Sequence, residues 1–210
     1  MIVSLKPLRK QMPSHQTQDT KTLILASSSR YRAEMLSRLG LPFQTQSPDI
    51  DETRLAGETP LATAQRLSQQ KALKVARQWP GAVVIGADQV LDLHGDTLGK
   101  PGTHPAALAQ LTKLSGQVGI FSSAVTVLSP GFQQRRVSQC RARFRKLSPA
   151  QIEYYLLQEQ PYDTAGSAKA EGLCIALLES LSSDDPTSIV GLPLIMLTAM
   201  LARVGLDPLG

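Results

Sequence analysis

Residues 22–32 have the sequence TLILASSSRYR, in which an apolar run changes abruptly into three serines, two arginines and a tyrosine. The apolar part is typical of a buried β-strand, and Leu36 and Leu39 continue it with the spacing of an amphipathic helix. A serine at a helix start accepts a hydrogen bond from a backbone N–H that otherwise has no partner. The stretch therefore predicts a strand that enters a capped helix through a serine turn.

Such a turn can bind an anion. The free N–H groups at the start of a helix point toward one position, which suits phosphate, and Arg30 and Arg32 add positive charge there. Capped strand–helix turns without a ligand are also common in α/β proteins. The turn alone leaves both interpretations open.

Composition limits the class of protein. The chain has 210 residues, of which 42% are hydrophobic, so it can form one large domain or two lobes around a cleft. The net charge of +5 favours anionic partners in general, such as nucleotides, RNA or acidic surfaces. Two cysteines and three scattered histidines have no metal-ligand spacing, which argues against a zinc site or a Ser-His-Asp triad.

Residues 1–20 contain no apolar run long enough for a signal peptide. Residues 1–20 are polar and predict a flexible arm, with an amphipathic transit segment as the weaker alternative, and residues 21–210 predict one domain. The longest apolar stretch, residues 189–201, contains Pro193 and is too short to span a bilayer. We expect a soluble protein in a reducing compartment, most simply the cytoplasm.

Apolar runs of strand character alternate with segments of helical period, which predicts an α/β fold with a mixed, twisted sheet flanked by helices. Helices are predicted at 30–39, 61–79, 105–114, 149–158 and 193–204, and strands at 22–26, 44–47, 82–87, 90–93, 97–98, 118–128, 133–145 and 173–178. The long pair 118–128 and 133–145 is the best candidate for a protruding lobe. Its arginines at alternate positions indicate a solvated strand face rather than an RNA-binding strip, because no aromatic residues lie between them to stack bases.

Asp88 is the first candidate for chemistry. It follows the apolar strand 82–87 directly, and ligands bind at the carboxyl ends of strands in open α/β sheets. A carboxylate there can act as a general base or a metal ligand, although an aspartate also commonly forms a turn after a strand. Glu52, in an acidic loop, could join Asp88 on Mg²⁺, which typically takes one or two carboxylates plus phosphates. Lys71 and Lys100 taken alone would be surface lysines.

Seven segments in this order resemble one family. They are LILASSS at 23–29, Asp51-Glu52, QKA at 70–72, GADQV at 86–90, GKP at 99–101, AGSAKAEG at 165–172 and DPTSIVGLP at 185–193. Together they resemble the Maf family of nucleoside triphosphate pyrophosphatases, from about residue 22 to the C-terminus. The resemblance implies a fold of the Maf and inosine-triphosphatase type, with two lobes around a cleft.

The resemblance also implies an activity and a set of roles. Family members hydrolyse the bond between the α- and β-phosphates of a nucleotide with a divalent metal, Mg²⁺ or Mn²⁺. The residue matching the catalytic proton acceptor is Asp88, and Glu52 and Asp88 would hold the metal. The positions expected to bind the triphosphate are Ser27, Ser29, Arg32, Lys71 and Lys100. A homodimer is possible, whereas a membrane or nucleic-acid partner is not expected.

Within the family, the Asp-Gln pair and the Ser-x-Lys-x-Glu-Gly segment resemble the branch that acts on 7-methyl-GTP. The matching specificity positions are Tyr31, Gln89 and Glu171. N7-methylation makes guanine cationic, so an aromatic face attracts it and a carboxylate can accept its two adjacent N–H donors. An amide such as Gln89 can both donate and accept at a base edge. The alternatives are a pyrophosphatase for another nucleotide, such as dTTP, UTP or another modified base, and a nucleic-acid-binding or division-associated protein.

Two departures from the family pattern stand out. Members often have a proline where this chain has Arg30, and many carry a histidine and a Thr-Gly pair where residues 117–123 read QVGIFSS. We therefore assign no catalytic role to residues 117–123. Arg30 is expected either to contact phosphate or to face solvent.

Overall fold

The computed structural model describes residues 21–210, which form seven β-strands and five α-helices. The strands are β1 Leu23–Ala26, β2 Gln44–Thr45, β3 Val83–Leu93, β4 Asp96–Leu98, β5 Val118–Ser129, β6 Phe132–Phe144 and β7 Leu178–Ser182. The helices are α1 Arg30–Ser37, α2 Pro60–Ala76, α3 His104–Leu114, α4 Pro149–Glu159 and α5 Leu194–Ala202. The predicted arm at residues 1–20 lies outside the described residues. Over residues 21–210, every helix is too short or too polar to cross a bilayer.

The strands form one mixed sheet in the order β2-β1-β3-β5-β6-β7, with β4 paired to β3. Strand β1 runs parallel to both of its neighbours, and the remaining pairs are antiparallel. This arrangement confirms the predicted α/β class with a mixed sheet.

One edge of β3 has an opening. Residues 83–86 of this strand pair with β1, and residues 91–93 pair with β4. On the opposite edge, β5 pairs with β3 continuously over residues 84–92. Residues 87–90 therefore have no strand beside them on the edge shared by β1 and β4. The functional residues described below surround this opening.

The opening exists because the chain leaves the sheet at Ala26. Ser29 caps α1, and its Oγ accepts a hydrogen bond from the Arg32 N–H at 3.3 Å. The Ser29 N–H donates to Ser27 Oγ at 3.1 Å, which tightens the turn before the helix. The predicted strand–turn–helix unit with a serine cap is confirmed.

Two hydrophobic clusters occupy opposite ends of the same sheet face. One contains Leu25 and Ile85 with residues of α1 and α5, and the other contains Leu91 and Phe121 with residues of α3 and α4. The opening in the edge of β3 lies between them.

Helix α2 covers the other sheet face and touches β3 directly. A Cβ atom on Gly86 would lie 2.2 Å from the carbonyl oxygen of Ser68 and 2.6 Å from the backbone nitrogen of Ala72. Only a residue without a side chain allows this approach. The contact brings Lys71, next to Ala72, over β3.

The structure corrects two predictions. The long strand pair is not a separate protruding half, because β5 pairs with β3 over residues 120–128 and β6 extends the same sheet, with β7 beside it at residues 141–144. The predicted strand at 173–178 is a 3₁₀ helix, Leu173–Leu177, followed by β7. A short apolar run has no distinguishing period, and here Cys174 and Leu177 are buried three residues apart, which matches the 3₁₀ repeat.

One further expectation is confirmed within residues 21–210. Arg141 and Arg143 are exposed while Cys140, Ala142 and Phe144 between and beside them are buried, as a half-buried strand requires. Both cysteines are free and buried.

Candidate active site

A cavity of about 760 Å³ opens at the gap in the edge of β3. The predicted site residues that line it are Ser29, Tyr31, Arg32, Glu52, Lys71, Asp88, Gln89, Lys100 and Glu171. These residues come from α1 and the turn before it, α2, β3 and three loops, so the fold brings together positions that are far apart in sequence. Of the predicted set, only Ser27 does not line the cavity.

Ser27 lies beneath the turn. It is buried, and its Oγ accepts from the Ser29 N–H. Its neighbour Ser28 lines the cavity instead, together with Ser29. The structure thus gives Ser27 a part in shaping the turn, and its contact with phosphate stays a prediction.

Asp88 does not end its strand. Strand β3 continues to Leu93, so the expectation that Asp88 follows the carboxyl end of this strand is wrong. The strand that ends beside it is β1, whose last pair joins Ala26 to Gly86. Asp88 therefore lies at the end of the parallel part of the sheet, where ligands of open α/β sheets bind.

Lys71 bridges the two predicted carboxylates. Its Nζ lies 2.7 Å from Asp88 Oδ1 and 2.8 Å from Glu52 Oε1. Side-chain exposure is 6% for both Lys71 and Asp88, so the reading of Lys71 as a surface lysine is wrong. An ammonium group has three donors, and the third remains for a ligand.

The two carboxylates have opposite pKa shifts. Burial raises the pKa of Asp88, although the charges of Lys71 and Arg32 oppose the shift. Burial also opposes ionisation of Glu52, but its hydrogen bond to Lys71 and the charge of Lys71 outweigh that effect and lower the pKa of Glu52. Asp88 is therefore the stronger base of the pair.

Arg32 and Lys100 supply further positive charge. Arg32 Nε donates to the carbonyl oxygen of Gly191 at 3.0 Å, which fixes the guanidinium beside the cavity. Burial lowers the pKa of Arg32, and the charges of Asp88 and Glu52 oppose that shift. Lys100 is exposed in the loop after β4 and lines the same cavity.

Tyr31 is already paired with a cation. The Arg30 guanidinium carbon lies 4.8 Å from the centre of the Tyr31 ring, and Arg30 Nη2 donates to the Tyr31 hydroxyl at 2.7 Å. That hydroxyl donates in turn to Asp163 Oδ1 at 3.4 Å. The Tyr31 ring, which was expected to attract a cationic base, thus lies next to the planar guanidinium cation of Arg30 in this structure. Sequence reasoning left open what Arg30 contacts and missed Asp163, which no motif marked.

Gln89 has less freedom than the sequence suggested. Its Nε2 donates to Ser123 Oγ at 3.0 Å and to the carbonyl oxygens of Ser188 at 2.9 Å and Ile189 at 3.0 Å. The donor side of the amide is therefore used within the protein. Its Oε1 remains as the acceptor that a ligand could use.

Glu171 lines the cavity in an exposed loop. Partial burial raises the pKa of its carboxyl, against the effects of a backbone hydrogen bond and of Lys169. The loop is held to α4 by the ion pair between Lys169 Nζ and Glu159 Oε2 at 2.6 Å. This anchor keeps Glu171 at the cavity.

The carboxylates fit a hard divalent cation. Over residues 21–210, no group of three or more histidine, cysteine or acidic side chains could enclose a metal by itself. Two carboxylates, each in contact with Lys71 through one oxygen, match the sparse protein coordination that Mg²⁺ accepts when phosphate and water complete its shell. Glu52 and Asp88 are the residues that could hold such an ion.

Comparison with known proteins identifies the family. The family described as "Maf-like protein" matches residues 22–204. The chain is 54% identical over 191 residues to "7-methyl-GTP pyrophosphatase" of Polaromonas sp., which covers 90% of this chain and 87% of that protein. It is 57% identical over 187 residues to the protein of the same name from Bordetella avium, covering 89% and 95% of the two chains. A third protein of this name, from Thiobacillus denitrificans, is 52% identical over 195 residues, covering 92% and 97%. The cavity is lined by the family's motif residues, and the family match extends over nearly all of the described residues. This protein therefore belongs to the Maf family.

Proposed function

We propose that this protein hydrolyses 7-methyl-GTP at the bond between the α- and β-phosphates, giving 7-methyl-GMP and pyrophosphate. The observation that carries the proposal is the convergence of Asp88 and Glu52 on Lys71, inside a cavity that also contains the serine turn. Relatives more than 50% identical bear the name 7-methyl-GTP pyrophosphatase, which supports the choice of substrate. The proposal includes a cytoplasmic location, where nucleotide pools are maintained.

The triphosphate would bind against the start of α1. Ser28 and Ser29 line the cavity there, and Arg32, Lys100 and the third proton of Lys71 supply positive charge. Negative charge shifts among phosphate oxygens during the transfer, so donors held in place before the reaction stabilise its transition state. Ser27 would assist by holding the turn.

Asp88 would act as the general base. Burial raises its pKa, which makes its carboxylate a better proton acceptor than an exposed aspartate. Oδ1 is bonded to Lys71, so Oδ2 is the atom that would receive the proton of the attacking water. Lys71 would keep the carboxylate oriented while the proton moves.

A divalent metal, Mg²⁺ or Mn²⁺, is part of the proposal. Glu52 would hold it directly and Asp88 through a bound water, together with the phosphates, which leaves Asp88 Oδ2 free for the proton. When bound, the metal would neutralise charge on the phosphate oxygens. The lowered pKa of Glu52 keeps this ligand ionised at neutral pH.

The base would bind at the side of the cavity formed by Tyr31 and Glu171. The Tyr31 ring attracts a cationic purine, and the Glu171 carboxylate can accept from two adjacent N–H groups of guanine. Asp163, which accepts from the Tyr31 hydroxyl, lies 3.9 Å from Arg30, so these two charges offset each other and Glu171 is left as the carboxylate that favours the methylated base over GTP. Gln89 would contribute Oε1 as an acceptor.

Pyrophosphate release from a nucleotide panel tests the function. We expect 7-methyl-GTP to be hydrolysed faster than GTP, dTTP and UTP, and only with Mg²⁺ or Mn²⁺ present. If another nucleotide is preferred, the proposed reaction stands and the proposed substrate is wrong. If no nucleotide releases pyrophosphate and the protein shifts RNA in a gel less strongly as salt increases, the protein binds nucleic acid and the proposed enzyme activity is wrong. Light scattering of the purified protein tests the possible homodimer.

A further inference from the structure

The loop that carries Glu52 has little packing to hold it. Residues 51–57 are all exposed, and its one large apolar side chain, Leu55, is 55% exposed. Loops of this kind normally sample many conformations, because few buried contacts oppose their chain entropy. Yet Glu52 Oε1 reaches the buried Nζ of Lys71 at 2.8 Å. Some other contact must fix the loop.

That contact is an ion pair between Glu58, at the end of the loop, and Arg66 on α2. Arg66 Nε lies 2.7 Å from Glu58 Oε1, and Nη2 lies 2.8 Å from Oε2, so the pair is bidentate. Side-chain exposure is only 19% for Arg66 and 10% for Glu58. Bidentate pairs of arginine and carboxylate fix both distance and orientation.

The same two residues hold the middle of the loop. Arg66 Nη2 donates to the carbonyl oxygen of Thr53 at 3.0 Å, one residue after Glu52. Glu58 Oε2 accepts from the Leu55 N–H at 3.2 Å and from Thr63 Oγ1 at 3.0 Å. Arg66 and Lys71 lie on the same helix, so α2 fixes both the loop and the ammonium group that Glu52 contacts.

We propose that Glu58 and Arg66 are positioning residues that hold Glu52 in place for the metal and the phosphates. The inference rests on the proposed function, in which Glu52 is a metal ligand. Neither residue contacts the reacting atoms in this account, and each acts through the loop. Groups that orient a metal ligand typically contribute about tenfold to a hundredfold to metal affinity or activity.

The first test measures the loop itself. Glu58→Gln and Arg66→Lys each break the bidentate ion pair and keep a polar side chain of similar size. Lys74→Gln is the matched control, because Lys74 is an exposed cation on the same helix. Trypsin should cut the Arg54–Leu55 bond faster in both variants than in the wild type and the control, with the fragment identified by mass spectrometry. Equal cleavage rates would overturn the proposal.

The second test measures the ligand. Binding of Mn²⁺, followed by electron paramagnetic resonance without substrate, should weaken about tenfold in Glu58→Gln and Arg66→Lys and stay unchanged in Lys74→Gln. Unchanged Mn²⁺ affinity in the two loop variants would contradict a positioning role. This readout does not depend on turnover.

A double-variant cycle separates positioning from general stability. If Glu58 acts only through Glu52, adding Glu58→Gln to a Glu52→Gln background should lower pyrophosphate release no further. An additional loss equal to that in the wild-type background would overturn the proposal. A wild-type protein that releases no pyrophosphate would refute the proposed function instead, while the cleavage and Mn²⁺ measurements would still decide the role of the ion pair.

Discussion

Lys71 Nζ and Asp88 Oδ1 lie 2.7 Å apart in a pair that is almost fully buried. Removing two charges from water is costly, and apolar residues of similar size often stabilise a protein as well or better. The same lysine also holds Glu52, so the pair organises the carboxylates around the opening in the edge of β3. Its position indicates that the pair serves chemistry more than stability.

Replacing Asp88 with asparagine should remove most turnover and preserve the fold. The amide oxygen can still accept from Lys71, but the side chain can no longer take a proton from water. We expect pyrophosphate release from 7-methyl-GTP to fall by about 10²- to 10⁴-fold. Circular dichroism should show the wild-type fold, and a folded variant with near-normal turnover would refute the role of Asp88 as base.

Gly86→Ala should disturb the site from a distance. The new methyl group would meet the backbone of α2 at Ser68 and Ala72, so the helix must move away from β3 and carry Lys71 with it. Overpacking of this kind costs about 1–3 kcal/mol of unfolding free energy. Gly81→Ala is the control, because nothing lies within 4 Å of a Cβ atom there. Thermal unfolding and pyrophosphate release check the pair of variants, and equal values for both would contradict the close-contact argument.

Glu171→Gln should reduce the preference for the methylated base. The neutral amide offers one acceptor oxygen and no negative charge, so a cationic purine loses more than a neutral one. We expect the ratio of kcat/KM for 7-methyl-GTP to that for GTP to fall about tenfold. Glu179→Gln, which changes an exposed carboxylate on β7, should leave the ratio unchanged. A ratio unaffected by Glu171→Gln would exclude this residue from base recognition.

The ion pair between Glu58 and Arg66 should make the free energy of unfolding depend on pH. The hydrogen bond from Arg66 lowers the pKa of Glu58 from 4.5 to about 2. A carboxyl whose pKa is lower in the folded state stabilises the fold above its unfolded pKa and loses that contribution as pH falls toward its folded pKa. The stability difference between wild type and Glu58→Gln should therefore be largest above about pH 5 and shrink between pH 4.5 and about 2. Urea unfolding at several pH values measures it, and a difference independent of pH would contradict the shift.

Local patterns predicted much of this protein. The apolar run, the three serines and the spacing of Leu36 and Leu39 were sufficient to predict β1, its turn and α1, because these signals lie within residues 22–39. The motif resemblance placed Asp88, Glu52 and Lys100 at one site, and the structure brings them to one cavity. The patterns did not predict which contacts bring these residues together.

The features that the sequence analysis did not predict all depend on contacts between segments that are distant in sequence. The opening beside Asp88 requires β1 and β4 to share one edge of β3, which no local pattern encodes. The burial of Lys71 depends on the approach of α2 to Gly86. Gln89 looked free to donate because its partners, Ser123 and the carbonyls of 188 and 189, are many residues away.

The opening in the edge of β3 also constrains how the cavity can adapt. On its far side the strand is paired without interruption to β5, which is itself paired to β6 along its whole length. Bending the molecule between its two halves would have to deform this ladder, which opposes a clamshell-like closure around the nucleotide. We therefore expect a new base to be accommodated by the side chains that face it, Tyr31 and Glu171, which makes them the natural targets for redesigning selectivity.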